Sequence, residues 1–127
     1  MAQYLITFPS DAMDHIPEEA WLEAGRAAHA VCQAAIDSGV YVLSGGMEDE
    51  PATFVATDGT LIDGPKPSFI GGITIVDVPS REEALRWASK IAGACRCTQE
   101  VRAIGSDPEL EAMLRQAASH RLRHNEV

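Results

Sequence analysis

The chain has 127 residues, 46% of them hydrophobic, and a formal net charge of -9. That length is one domain with one core. The acidic balance excludes nucleic acid and anionic membrane as partners, because phosphate surfaces are met with Lys and Arg, and no apolar run approaches the ~20 residues of a transmembrane helix.

The first segment, Ala2 to Phe8, reads as a strand whose two alternating sets, Tyr4/Ile6/Phe8 and Leu5/Thr7, are both largely apolar. That pattern predicts a central strand covered on both faces. A loop follows. Pro17 suits the first turn of a helix, with Glu18 and Glu19 at its positive end. The helix is predicted to run to about Ser38, with Gly39 as its stop. Its apolar stripe is Leu22, Gly25, His29, Cys32 and Ile36, widened by Ala28, Val31 and Ala35. His29 is therefore expected on or beside the face that packs on the sheet.

Val40 to Gly46 is a second strand, followed by an acidic loop, Glu48, Asp49 and Glu50. The stretch "ATFVATDG" is a third strand ending in a turn, and "TLIDGPK" is a short strand leading into another. Phe69 to Val78 is rich in β-branched residues and is the clearest strand of the chain. A second helix follows, with Ser80 as N-cap and Glu83 completing a capping box. Ala84, Leu85, Ala88 and Ile91 are predicted to face the core, and Gly93 to end the helix. Thr98 to Ile104 is a last strand. Residues 1–105 form the domain and 106–127 a C-terminal helix and tail. In that helix Ser106 or Asp107 caps, Pro108 starts, and Leu110, Met113, Leu114 and Ala117 make a stripe. It is predicted to run to about His120 and then fray.

The order is β-α-β, a hairpin, then β-α-β. This is an α+β fold, a ferredoxin-like split βαβ arrangement with an inserted hairpin. Helices cover only one face of such a sheet. The other face needs cover, which predicts a homodimer packed sheet to sheet.

The N-terminus "MAQYLITFPSDAMD" has no basic region followed by an apolar one, which sets the expectation of a cytoplasmic protein. Three cysteines leave an odd thiol, in keeping with a reducing compartment. Cys95 and Cys97 form C-x-C, with Cys32 as a conceivable third zinc ligand. A zinc site needs more soft ligands at suitable spacing, so ordinary thiols are the simpler reading. P-loop, dinucleotide-fold and serine-hydrolase motifs are missing. No cofactor or metal is expected.

The motif series "TDG", "DGP", "GGITIVDVPSREEALRWASKIAG" and "QEVRAI", from about Ala52 to Ile104, resembles the YCII-related family in its DGPF branch. Lys66 stands where the signature has Phe, and Ala103 where a Pro follows Glu-Val-Arg. The first helix carries Arg26 and His29 in the Arg-x-x-His spacing that resembles the founding branch of that family. The resemblance implies a ferredoxin-like dimeric α/β barrel and a cytoplasmic homodimer. It implies little about activity, although some relatives are small-molecule enzymes using a His-Asp pair.

The candidate catalytic residues are His29 and Asp63. Imidazole suits proton transfer near neutral pH, and the plain alternative is a histidine held by a backbone carbonyl. Asp before Gly is also turn chemistry, which explains Asp58 and is an equal reading for Asp63. Arg26, Arg102, Asp58 and Lys66 are the ligand-binding candidates. Glu100 and Arg102 lie two apart on a strand and share a face, where Arg102 could hold an anion or form a surface ion pair. The acidic loop Glu48–Glu50 could hold a divalent cation or be solvated.

Two functions follow as expectations. One is a cofactor-independent acid/base enzyme acting on a small molecule, with His29 moving a proton and Asp63 orienting it. The other is a non-catalytic regulatory dimer. The resemblance implies association with an extracytoplasmic-function sigma factor, and the acidic surface suits a basic protein partner.

Overall fold

A computed structural model describes residues 1–64 and 69–125, the last three through their backbone only. Six strands and three helices are described: β1 (Ala2–Pro9), α1 (Trp21–Asp37), β2 (Tyr41–Gly46), β3 (Thr53–Val55), β4 (Leu61–Asp63), β5 (Ile70–Val78), α2 (Arg81–Cys95), β6 (Glu100–Ala103) and α3 (Pro108–Asn125). The main sheet has order β2-β5-β1-β6, and β3-β4 form a separate hairpin. Every neighbouring pair is antiparallel. Strands β1 and β2 are both antiparallel to β5, hence parallel to each other with β5 between them. That is the split βαβ unit, and β5-α2-β6 repeats it around β1.

Cross-strand partners share a face, so the register sorts the sheet. Tyr4 and Ile6 pair with Val76 and Thr74, and Ile6 also pairs with Val101. These residues face the helices. Ile6, Val76 and Val78 are at most 1% exposed, each contributing about 1.5–3 kcal/mol of hydrophobic burial. Leu5, Ile73, Ile75 and Leu43 lie on the opposite face, where Leu43 is 49% exposed and the other three half-buried. Among the described residues no element packs there.

Helix α1 keeps part of its predicted face, since Ala35 is in the core and Ala28 and Val31 pack against it. Ala24 and Ala35 are its buried residues, whereas Leu22 and Ile36 are 66% and 51% exposed. Its alanine face lies against α2 and the core, since small residues let helices approach closely. The Leu22/Ile36 line of the stripe is therefore turned outward, and Gly25, His29 and Cys32 edge a cleft. A 3₁₀ turn, Glu18–Ala20, comes before α1, which begins at Trp21 and not at Pro17.

Helix α2 is capped as predicted, with Glu83 N–H donating to Ser80 Oγ at 3.2 Å. It runs past Gly93 to Cys95, because Cys95 is buried in the core cluster and holds the last turn. Arg96 then closes it in the left-handed region at φ 57. Leu85, predicted to face the core, is 42% exposed. Helix α3 continues through the basic segment to Asn125. Its described side chains from Pro108 to Leu122 are all exposed. Among the described residues no helix is long and apolar enough to cross a membrane.

Candidate functional site

A cleft of about 460 Å³ opens between α1, the C-terminal end of α2 and strand β2. Its apolar body comes from Phe8, Met13, Trp21 and Ile91, and its polar wall from His29, Cys32, Tyr41 and Ser44. Ser44 is the hub of that wall. Its Oγ lies 2.9 Å from Tyr41 Oη and 3.4 Å from Cys32 Sγ, so the chain of contacts runs from β2 across to α1.

Tyr41 and Ser44 are three apart in a strand, which by simple alternation points them to opposite faces. A bulge between Tyr41 and Leu43 changes this: Tyr41 pairs with Val76 and Ser44 with Thr74, both on the helix side. The extra residue re-aims the hydroxyl into the cleft.

The cleft floor depends on a glycine pair. A Cβ on Gly72 would lie 2.4 Å from Phe8 Cζ, and one on Gly71 would lie 2.6 Å from Pro9 O. The Phe8 ring therefore lies directly against β5 where Gly72 has no side chain. This is the close approach that a glycine in a strand permits. Trp21 is anchored by donation from its Nε1 to Ile16 O at 3.0 Å.

A second recess of about 550 Å³ shares Phe8, Met13, Trp21 and Gly46 with the cleft. Its outer wall carries Asp14, Glu48, Asp49 and Glu50. Among the described residues no group of three His, Cys, Asp or Glu side chains is placed to hold a metal ion.

All three cysteines are free thiols, and no disulfide is present among them. Cys95 faces the inner end of the cleft. Burial pushes its thiol above the ordinary range, and the neighbouring Cys97 and Cys32 add to the effect. Burial also raises Cys97, partly offset by a hydrogen bond from Gln99. Both thiols are held protonated at neutral pH.

The residues singled out from the sequence are dispersed. His29 is exposed on the cleft rim and makes no hydrogen bond or ion pair among the described residues, so the carbonyl-held alternative does not apply. Arg26, one turn earlier on α1, is exposed and does not line the cleft. Asp63 is exposed at the end of β4, opposite Thr53, and is a wall of neither cavity. Asp58 accepts from Thr60 N–H at 2.9 Å in the hairpin turn. Hydrogen bonds from Thr60 hold its carboxyl below the usual range. Arg102 pairs in register with Leu5 and so stands on the sheet face away from the helices and the cleft. Lys66 lies outside the described residues. Phe8, Asp14, Trp21, Tyr41 and Ser44 were not singled out. The bulge that aims Tyr41 and Ser44 into the cleft has no motif, whereas the approach of Phe8 to β5 is marked in the sequence by the Gly71-Gly72 pair at the start of a strand.

No protein-family model matches the chain. No curated protein matches it in sequence. Among solved structures, the chain is similar to 5-chloro-2-hydroxyhydroquinone dehydrochlorinase from Burkholderia phenoliruptrix AC1100, in complex with 2,5-dihydroxybenzoquinone. The likeness covers 84% of this chain and 97% of that one, with a TM-score of 0.44 and 12% identity.

Proposed function

We propose that the protein binds a small organic molecule in the cleft beside α1 and acts on it by cofactor-independent acid/base chemistry. The observation that carries this reading is the cleft itself: an apolar body with a few convergent polar groups, the usual make-up of a small-molecule site. His29 on the rim accepts a proton from the ligand and returns it. The Ser44 hub gives hydrogen bonds that orient the ligand. The resemblance to the DGPF branch of the YCII-related family supports the same assignment.

The reading includes a homodimer. The sheet face with Leu5, Leu43, Ile73 and Ile75 has no cover from the described residues. The hairpin exposes Phe54, Val55, Leu61 and Ile62 at 48–69%. Patches of this kind on a small domain mark association surfaces. Asp63 enters as a carboxylate that the second copy's hairpin brings to His29.

Two experiments test this. Amide NMR during titration with small phenols is expected to move Gly25, Cys32 and Ser44, and Ser44→Phe, which fills the cleft, is expected to abolish the shifts. Shifts elsewhere, or shifts that survive filling, overturn the site. Oxidising a mixture of His29→Cys and Asp63→Cys chains is expected to give a crosslinked pair, and its absence removes Asp63 from the site.

A second reading is a non-catalytic dimer that binds a regulatory protein such as a sigma factor. Helix α3 favours it, with Leu110, Met113, Leu114 and Leu122 exposed at 48–66%. Recovery of such a partner by the intact chain, lost on deletion of 106–127 and retained by His29→Ala, decides for it.

A further inference from the structure

We propose that the ligand of this cleft is an organic cation: a primary or substituted amine on an aromatic or aliphatic body. The inference rests on the reading that the cleft binds a small molecule, and adds the charge of that molecule.

The walls carry the argument. The cleft and the acidic recess share Phe8 and Trp21, so a ligand lying across both passes these two aromatic side chains where the cavities meet. Aromatic faces attract ammonium groups. The Trp21 N–H, the indole's hydrogen-bond donor, is already engaged by Ile16 O. What the indole offers the cleft is therefore its ring. Beyond this junction stand Asp14, Glu48, Asp49 and Glu50. Among the described residues lining either cavity there is no Lys or Arg.

An anionic ligand would have to reach the cleft against that field, and Arg26 and Arg102 do not help it. Arg26 is outside the cleft lining, and Arg102 is on the other side of the sheet. A bare metal ion fits no better, because the carboxylates do not converge as a ligand set. Spread carboxylates beside aromatic rings suit a diffuse, weakly hydrated charge. The inner end of the cleft, with Tyr41, Ser44 and Cys32, suits a hydroxyl or carbonyl at the opposite end of the ligand.

The test uses three probes of one shape: tyramine, tyrosol and 4-hydroxyphenylacetate, which are cationic, neutral and anionic. Each is titrated at low salt and followed through the amides of Gly25, Ser44 and Gly46. Tyramine is expected to bind at least tenfold more tightly than tyrosol, and 4-hydroxyphenylacetate most weakly. Salt at about 0.5 M is expected to remove most of the difference, since exposed charges are screened. A variant carrying Glu48→Gln, Asp49→Asn and Glu50→Gln is expected to lose the preference while still binding tyrosol. Equal or tighter binding of tyrosol or 4-hydroxyphenylacetate at those amides overturns the charge assignment and leaves the small-molecule reading standing. If none of the three moves those amides, both are overturned.

Discussion

Tyr41 and Ser44 hydrogen-bond at 2.9 Å although they stand three apart in one strand. The bulge between Tyr41 and Leu43 makes this contact, and it gives Cys32 of α1 a partner at 3.4 Å as well. One hydroxyl thus ties the edge strand to the helix that forms the other wall of the cleft.

Ser44→Ala removes that hub and leaves two part-buried groups without their partner. A loss of about 1–3 kcal/mol is expected by denaturant unfolding. Tyr41→Phe deletes only the outer contact and should cost about 0.5–1.5 kcal/mol. If Ser44→Ala proves as stable as the parent, the hub is not a structural tie.

Gly72→Ala places a methyl group against Phe8, and the ring must move. The expected cost is about 1–3 kcal/mol, the range for overpacking. The pair Gly72→Ala with Phe8→Leu should cost less than the two single changes summed, because the residues touch. Additive values in a double-mutant cycle would show that the ring and the strand do not compete for space.

Arg96→Gly is expected to stabilise the protein. Arg96 caps α2 at φ 57, a conformation costing about 1–2 kcal/mol for a side-chain-bearing residue. The change also removes the Arg96–Glu23 ion pair at 3.8 Å, which is exposed and worth little. Glycine loses more backbone entropy on folding, so the net gain should be about 0.5–1 kcal/mol. Thermal and denaturant midpoints read it directly.

Cys95 and Cys97 provide a pH test. Their folded thiols titrate above the ordinary range, so the folded state keeps protons that the unfolded state releases. Stability from this source is fully present below the ordinary thiol value and is lost as pH rises through the raised folded values. Alkylation of Cys95 in the native protein should accordingly be slow at pH 7 and accelerate only in alkaline solution. Fast labelling of Cys95 at pH 7 would mean that the site opens.

Much of the fold was legible because local chemistry and tertiary position agree. Strand order followed from element order, Ser80 and Glu83 announced a cap that forms, and Gly39 ends α1 with φ 74. The orientation of α1 was legible only in part: Ala28, Val31 and Ala35 of the predicted face do meet the core. Leu22 and Ile36 are the large apolar residues and drew the stripe toward themselves, yet they are exposed, and close helix packing buries Ala24 beside the expected Ala35. The end of α2 was misplaced for a related reason. Gly93 is a stop signal locally, but burial of Cys95 outweighs it. His29, singled out by the Arg-x-x-His resemblance, lies on a cleft rim, while Arg26 does not line that cleft. Ser44 and Tyr41 were hidden because a bulge leaves no residue signature. The acidic loop was visible as charge, but its position beside Trp21 and Phe8 is a tertiary fact.

Helix α3 has a hydrodynamic consequence. Its 18 residues span about 27 Å at 1.5 Å per residue, and its described side chains are all exposed. A rod carried on a small domain increases drag out of proportion to its mass. Gel filtration of even a single chain would therefore give an early elution volume that imitates a larger species. Truncation after Gly105 should delay elution by more than the lost mass accounts for, while light scattering records only the mass. The two measurements together separate elongation from association.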